Sequence, residues 1–429
     1  MTFLVLAVAL VVLLIVGLPA AFALGVSSEI YLAVTRGIDS IPWSVLAQRT
    51  LYGLDNFSLL AIPLFLLVGR LMNESGMTQR LFGFANSLVG RWRGGLGQVT
   101  VLSGVIMAGM SGSAVADAAG LGSIAIKPME EQGYDADFAT GLVAGVSLIG
   151  PIIPPSVPAV LYAILAGTSV NAVLIAGIIP GLLMGLSFMI YVAIMARRRN
   201  YPVVPNLTWD KVWQGLRQGF LPLMTPVILI GGMLSGVFTA TEAAAVASFY
   251  ALIIAVFVYR SLSWKKVWAV LKKTTIDSSV VMFILGVSNI FTWILTGARI
   301  PQTLSSYIFG ITHNYWLILL MVSGLLLFLG CFVSSIVSIN LLTPIIVPLI
   351  VAAGGNAIHF GVFMILILMI GELTPPFGMV IFALMRVTGL SMARVVRAAL
   401  PFYMPVFVVI IAIAVFPEIV TWLPQMLMH

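Results

Sequence analysis

The feature that most constrains the fold of this chain is an internal repeat. Residues 109–180 align with residues 330–401 without a gap, at a constant offset of 221 residues. The shared positions are mostly glycines and prolines, and the sequences GPIIPP and GELTPP occupy matching places. Gly76 and Gly297 keep the same offset further upstream. A repeated unit with interrupted apolar segments is typical of secondary transporters, which bind their substrate where broken helices meet.

Composition predicts a polytopic membrane protein. Of the 429 residues, 61% are apolar and 8% are charged, which leaves few side chains for a surface facing water. The net charge of +7 comes from cations in short loops between apolar runs, where they signal topology and not a nucleic-acid partner. One cysteine and three scattered histidines predict neither a disulfide framework nor a metal centre. We expect residues 2–24 to form one retained spanning helix.

The basic loops assign the two sides of the bilayer, because cytoplasmic loops carry an excess of Lys and Arg. The loop with Arg91 and Arg93, the triplet Arg197 to Arg199, and the segment with Lys265 and Lys266 are predicted to be cytoplasmic, as is the N-terminus. The two repeats then begin with opposite polarity. The sequence therefore predicts an all-α polytopic protein with inverted repeats, two re-entrant hairpins and two broken helices.

The same assignment divides the chain into five parts. We expect a scaffold helix and arm, a first repeat, a cytoplasmic loop with two connector helices and an arm, a second repeat, and one C-terminal helix. The corresponding ranges are 1–56, 57–196, 197–275, 276–401 and 402–429. The predicted hairpins lie at about 98–128 and 315–350, and the predicted broken helices at about 137–166 and 361–386. The segments 41–55, 207–219 and 262–275 are either amphipathic arms along the interface or extensions of neighbouring helices.

Four breaks in the apolar runs are candidate binding sites. They are the first tip (Met110 to Ser113), the first break (Gly150 to Ser156), the second tip (Cys331 to Ser335) and the second break (Gly371 to Gly378). Irregular backbone survives in a membrane only where it is buried in protein or lines a wet cavity. The double prolines at 154–155 and 375–376 cannot continue a helix, so they free backbone carbonyls.

Freed carbonyls and nearby hydroxyls suit Na⁺, whereas helix N-termini suit a substrate carboxylate. The predicted cation-binding residues are Ser111, Gly112, Ser113, Gly150, Pro154, Ser334, Ser335, Glu372, Thr374 and Gly378. The predicted substrate-binding residues are Ser111, Ser113, Asp117, Pro155, Ser156, Asn340 and Pro376.

Structural alternatives stay open for several of these residues. The glycines and serines of the tips could serve only close helix packing. Carboxylates inside apolar segments are usually functional, yet Asp117 could instead cap its hairpin and Glu372 could be a structural group at a tip. Asn340 either contacts substrate or bridges the arms of the second hairpin.

An enzymatic function is the remote alternative. Residues Gly109 to Gly112 match the Gly-x-Ser-Gly pattern of rhomboid-type intramembrane serine proteases, for which His359 is the one candidate base. The predicted topology places His359 on the opposite side from Ser111, and the sequence has no Walker A motif. We therefore expect a protein that is not an enzyme.

Three segments resemble the large membrane subunit of tripartite ATP-independent periplasmic (TRAP) transporters, and the resemblance extends over essentially the whole chain. They are MSGSAVADAAGLGSIAIKPMEEQGYD, GPIIPPSVPAVLYAILAGTS and GELTPPFGMVIFALMRVTG. The resemblance implies an elevator-type, Na⁺-coupled importer in the bacterial inner membrane, surrounded by the lipid bilayer. Its implied partners are a small four-helix membrane subunit and a periplasmic substrate-binding protein. Its implied substrate is an organic acid, either a sialic acid or a C4-dicarboxylate.

The resemblance also implies where the ions bind. It places one cation between Ser111 to Ser113 and the first break, and another between Ser334, Ser335 and the second break, with the substrate between them. A permease that works as a single component, coupled to Na⁺ or H⁺, remains the alternative.

Overall fold

The structure is a computed structural model that describes residues 2–202 and 209–427. These residues are mostly helical and contain no β-strand. Seven of the helices in this part of the chain are long and apolar enough to cross a membrane. The predicted all-α polytopic class is confirmed. Residues 207 and 208 of the predicted arm 207–219, together with Met1 and residues 428–429 of the terminal ranges, lie outside the described residues.

The described helices fall into two series. The first series is Thr2–Ile15 (α1), Ala20–Arg36 (α2), Trp43–Tyr52 (α3), Ala61–Glu74 (α4), Met77–Val89 (α5), Gly95–Ser111 (α6), Ala114–Glu131 (α7), Ala136–Ser147 (α8), Val157–Leu165 (α9), Val170–Ala176 (α10) and Ile178–Arg198 (α11). The second series is Trp209–Leu234 (α12), Ala240–Ile253 (α13), Trp264–Gly297 (α14), Ile300–Ile311 (α15), Tyr315–Gly330 (α16), Ser335–Ala352 (α17), Ala357–Glu372 (α18), Met379–Thr388 (α19), Met392–Ala399 (α20), Tyr403–Val415 (α21) and Glu418–Leu427 (α22).

The helices repeat at the same offset as the sequence. Shifting α7 by 221 residues gives 335–352, which are the bounds of α17. The correspondence also extends upstream of the aligned segment, because shifted α2 falls on α13 and its π-helical continuation Ile254–Val258. Shifted α3 and α4 both fall on the single long helix α14. The two helices predicted to be connectors are therefore the second copy of α1 and α2.

Two predicted single helices are pairs of helices in the structure. The predicted span 2–24 is wrong, because the chain breaks at Gly17, whose φ is 90°, and resumes after Pro19. Helices α1 and α2 then pack on each other as a hairpin. The prediction of a cytoplasmic N-terminus counted residues 2–24 as one crossing of the membrane, so it loses that basis. The predicted C-terminal helix 402–429 is likewise divided at Phe416, before Pro417, into α21 and α22. Both breaks precede a proline, which cannot donate to the previous turn.

The predicted arms separate into two kinds. Residues 41–55 contain the separate helix α3, whose Trp43 and Tyr52 are exposed. The segment 262–275 and the described part of 207–219 are instead continuous with the long helices α14 and α12. The interfacial-arm interpretation therefore suits only the first of the three.

The hairpins and the broken helices pack into one body. Helices α6 and α7 form the first hairpin, and α16 and α17 form the second. The second arm of each hairpin packs on the distal half of the other repeat's broken helix, α7 on α19 and α17 on α9. Helices α11 and α21 pack on each other. This exchange brings the four breaks into the same body, whereas the division into scaffold and transport parts stays a prediction.

Candidate ion and substrate site

The first tip lies directly against the first break. Helix α6 ends at Ser111, Gly112 has a φ of 61°, and Ser113 begins α7 by accepting a hydrogen bond from the Ala116 N–H at 3.4 Å. A Cβ placed on Gly112 would lie 2.5 Å from the Pro155 carbonyl oxygen. Only glycine meets both the backbone angle and this close approach. The structure therefore brings the tip serines and the first break together, as predicted.

Asp117 is buried at this first junction. Its side chain projects from α7, is 2% exposed, and lies so close to Gly150 that a Cβ there would overlap Asp117 Oδ2. Ser111 interacts with the same carboxylate. Among the described residues Asp117 Oδ1 has no hydrogen-bond partner. A buried carboxylate is costly unless it is paired, so this oxygen fits a bound cation.

Ser156 has a structural role within the first break. Its hydroxyl donates to the Pro151 carbonyl and accepts from the Ala159 N–H at 3.1 Å, which starts α9. Both bonds satisfy backbone groups that the break leaves free. This predicted substrate residue therefore uses its hydroxyl to hold the break, next to Pro154 and Pro155, which are joined by a cis peptide bond.

Glu372 connects the second break to the second tip. Its Oε1 accepts from the Ser335 N–H at 3.3 Å and from the Ser335 hydroxyl. The side chain is 7% exposed. Ser334 precedes α17 but makes no capping bond with its own hydroxyl, so Glu372 takes over that role. The Phe377 N–H also donates to the Cys331 carbonyl at 3.1 Å.

The two junctions carry equivalent chemistry from opposite elements. At the repeat offset, Asp117 corresponds to Ser338, and Glu372 corresponds to Pro151. In the first junction the carboxylate comes from the hairpin and faces the break, whereas in the second it comes from the broken helix and faces the tip. Each junction therefore has one buried carboxylate, although the sequence repeat does not align the two.

The Thr374 hydroxyl bonds to its own broken helix and to a neighbouring phenol. It donates to the Ile370 carbonyl at 2.8 Å and lies 3.2 Å from the Tyr403 hydroxyl. Tyr403 in turn donates to the Leu373 carbonyl at 2.6 Å. Gly378, by contrast, is close to the junction, since a Cβ there would lie 2.8 Å from the Glu372 carbonyl oxygen. Tyr403 was not predicted to belong to the site, although a phenol at the start of an apolar helix is a usable signal.

Two predicted substrate residues are less well supported by their surroundings. Asn340 is buried in α17 and donates to the Ile336 carbonyl of its own helix at 2.8 Å, so it does not bridge the hairpin arms through that group. Its Oδ1 has no partner among the described residues. Pro376 is exposed, whereas its equivalent Pro155 is buried, so the second break is the more open one.

A cavity of about 450 Å³ opens beside the first tip. This volume falls within the usual range for small-molecule sites. Its polar lining includes Ser111, Ser113, Arg70, Asn73 and Asp277. Arg70 forms an ion pair with Asp277. Arg70 was not predicted to belong to the site because it lies inside an apolar run counted as a span, although a cation inside such a run is itself a signal of function.

The structure does not pair the residues of the remote protease interpretation. A ring nitrogen of His359 hydrogen-bonds the Ile413 carbonyl at 2.8 Å. The Ser111 hydroxyl instead accepts from the Ser113 N–H at 3.4 Å. No hydrogen bond links the two side chains among the described residues.

Comparisons with known proteins agree with this architecture. The sequence profile described as "Tripartite ATP-independent periplasmic transporter, DctM component" matches residues 7–419. The sialic acid TRAP transporter large permease protein SiaM of Vibrio cholerae is 42% identical over 96% of each chain. The C4-dicarboxylate TRAP transporter large permease protein DctM of Pseudomonas aeruginosa is 37% identical over 87% of each chain.

A solved structure shares the fold. The crystal structure of the Alcanivorax borkumensis YdaH transporter, described as having an unusual topology, superposes with a TM-score of 0.66 over 98% of both chains at 12% identity. The apolar helices and the matched permeases together identify a multi-pass protein of the bacterial inner membrane. The chain therefore belongs to the DctM component family, the large permease subunits of tripartite ATP-independent periplasmic transporters.

Proposed function

We propose that this chain imports an organic acid by Na⁺-coupled elevator transport, with sialic acid as the favoured substrate and a C4-dicarboxylate as the alternative. The identity to SiaM, which exceeds that to DctM, supports this order. The proposed partners are a small four-helix membrane subunit and a periplasmic binding protein that delivers the substrate. The observation that carries the proposal is the pair of tip–break junctions, each with one buried carboxylate, Asp117 or Glu372.

The oxygen ligands of the junctions favour binding of a hard monovalent cation. Each combines a carboxylate with hydroxyls and freed backbone carbonyls, and such oxygen ligands at helix breaks are where transporters coordinate Na⁺. Two or more Na⁺ for each monoanionic substrate give a net positive charge. A membrane potential of about 100 mV then contributes about 2.3 kcal/mol for each net charge moved. We therefore expect electrogenic uptake.

A difference in packing between the repeats supports the elevator movement. In the first repeat, Ala85 of α5 and Val99 of α6 are fully buried in one apolar cluster. Their equivalents are Ser306 of α15, which is exposed, and Leu320 of α16, which is 67% exposed. Helix α15 packs on α17 instead. We propose that α15 docks on α16 when the transport body moves, while α5 separates from α6.

Paired cysteines test this exchange. Ala85→Cys with Val99→Cys, and Ser306→Cys with Leu320→Cys, are made in a Cys331→Ser background and treated with a short bifunctional maleimide. We expect the first pair to link in the resting protein, and the second pair to link only when Na⁺ and substrate allow cycling. Each link should stop uptake. Full uptake by a protein whose first pair is completely linked would contradict the elevator movement.

Reconstitution tests the coupling and the partners. Proteoliposomes hold this chain with its small subunit, and uptake of labelled sialic acid or succinate is measured with and without binding protein and an inward Na⁺ gradient. Accumulation that needs both supports the proposal and selects the substrate. Accumulation without binding protein would favour a single-component permease, and accumulation driven only by a proton gradient would contradict the coupling to Na⁺.

A further inference from the structure

We propose that Arg70 forms a carboxylate-binding subsite on the α4 side of the 450 Å³ cavity, which the serines of the first tip also line. This inference rests on the proposed function, because it assumes an anionic organic acid as substrate. It adds a cationic side chain for the negative charge of the substrate, because none of the predicted site residues is a cation.

Arg70 lies next to the point where α4 contacts the first tip. A Cβ placed on the preceding residue, Gly69, would lie 3.2 Å from both the Met110 carbonyl oxygen and the Ser111 Cα. The backbone of α4 therefore touches the first tip at this point. Arg70 follows directly and lines the same cavity as Ser111 and Ser113.

The charged residues of the cavity favour this role for Arg70. Among the described residues that line it, Arg70 is the one cation, and the anions are Glu74 and Asp277. A transported anion would be repelled by both carboxylates unless a cation faced it. Guanidinium has five donors in a planar fork, so Arg70 can keep its bond to Asp277 and still offer donors to a substrate carboxylate.

The cation of the Arg70–Asp277 ion pair lines the cavity, whereas the cation of the neighbouring ion pair does not. Helices α4 and α14 share a second ion pair near the cavity, between Glu74 and Lys273, with 3.6 Å between Nζ and Oε1. Lys273 is not part of the cavity lining. The Arg70 and Asp277 side chains remain 30% and 45% exposed. Arg70 is thus held in place by Asp277 but accessible from the cavity, as a binding group must be.

The test compares Arg70→Gln, Arg70→Lys and the exchanged pair Arg70→Asp with Asp277→Arg, with Lys273→Gln as the matched control. Uptake of labelled sialic acid gives KM, inhibition by its methyl ester reports binding of the uncharged analogue, and thermal unfolding reports the ion pair. We expect Arg70→Gln to raise KM for the acid about tenfold or more, with inhibition by the ester unchanged. Arg70→Lys should keep part of the affinity, and Lys273→Gln all of it.

The exchanged pair distinguishes a binding group from a structural one. It restores the ion pair, but it moves the guanidinium to α14 and puts a carboxylate beside the tip. We expect the exchanged pair to regain the thermal stability that Arg70→Gln loses, but not the KM of the unaltered protein. Recovery of both, or an unchanged KM in Arg70→Gln, would overturn the subsite while leaving the proposed function intact. Failure of the unaltered complex to accumulate either sialic acid or succinate would instead overturn the proposed function, and the subsite with it.

Discussion

Replacing Gly371 with alanine tests whether the second hairpin and the second broken helix are locked together through their backbones. A Cβ on Gly371 would lie 2.6 Å from both the Cα and the carbonyl oxygen of Gly330. Since these are backbone atoms, they cannot move without moving α16. Overpacking of this kind costs about 1–3 kcal/mol. Alanine regains about 0.5–1 kcal/mol over glycine within a helix. With the cost near its upper end, the net loss in free energy of unfolding is about 2 kcal/mol.

Two other glycines provide matched comparisons. At Gly150 the obstructing atom is Asp117 Oδ2, a side-chain atom that can rotate away, so we expect a smaller loss. At Gly324, on the exposed face of α16, a Cβ meets nothing within 4 Å, so alanine should stabilise the helix slightly. Thermal unfolding of the purified proteins, followed by intrinsic fluorescence, should rank Gly324→Ala as most stable and Gly371→Ala as least stable. If Gly371→Ala unfolds at the same temperature as Gly324→Ala, the backbone contact is refuted.

Three further predictions follow from single residues. Glu372→Gln keeps the shape but not the charge that accepts from Ser335, and it should raise the Na⁺ concentration for half-maximal uptake about tenfold or more; an unchanged value would remove Glu372 from the ion site. Na⁺ should slow the labelling of Cys331, the one cysteine, by a water-soluble maleimide compared with choline, because Na⁺ orders the second tip; equal rates would argue against that ordering. Hydrogen bonds from Tyr201 and then Arg199 lower the pKa of Asp135 below 3.8, so its charged form stabilises the fold above that pH and the effect is lost as pH falls further. Asp135→Asn should therefore unfold at a lower temperature than the unaltered protein at neutral pH, and this difference in unfolding temperature should narrow below about pH 3.8. A difference that stays constant with pH would contradict the assignment.

Much of the site could be located from the sequence because its signals are local. A proline pair stops a helix wherever it occurs, and polar residues inside an apolar run mark a tip. Both tips and both breaks were predicted in this way, at Ser111 to Ser113, Gly150 to Ser156, Cys331 to Ser335 and Gly371 to Gly378. The same local logic failed at Gly17 to Pro19, because total apolar length was given more weight than the break within it.

Side-chain partners could not be predicted in the same way. Thr374 and Ser156 were assigned to ions and substrate by their hydroxyls, yet those hydroxyls bond to nearby backbone groups in the structure. Arg70 carried a local signal, a cation inside an apolar run, but its role could not be read from that signal. Its partner Asp277 lies 207 residues away, and no local pattern describes the cavity that both residues line.

The sequence by itself determined that this is a membrane protein of two repeated units, with helices interrupted at matching glycines and prolines. Those properties are local, because the solvation of apolar side chains and the hydrogen bonding of the backbone depend on the residues of each segment and not on its position in the fold. Only the tertiary structure decided that Asp117 faces Gly150, that Glu372 faces Ser335, and that α5 and α15 pack differently. These contacts join elements distant in the chain. They depend on how the helices pack as rigid bodies, and an asymmetric arrangement of two similar repeats is not encoded in either repeat alone.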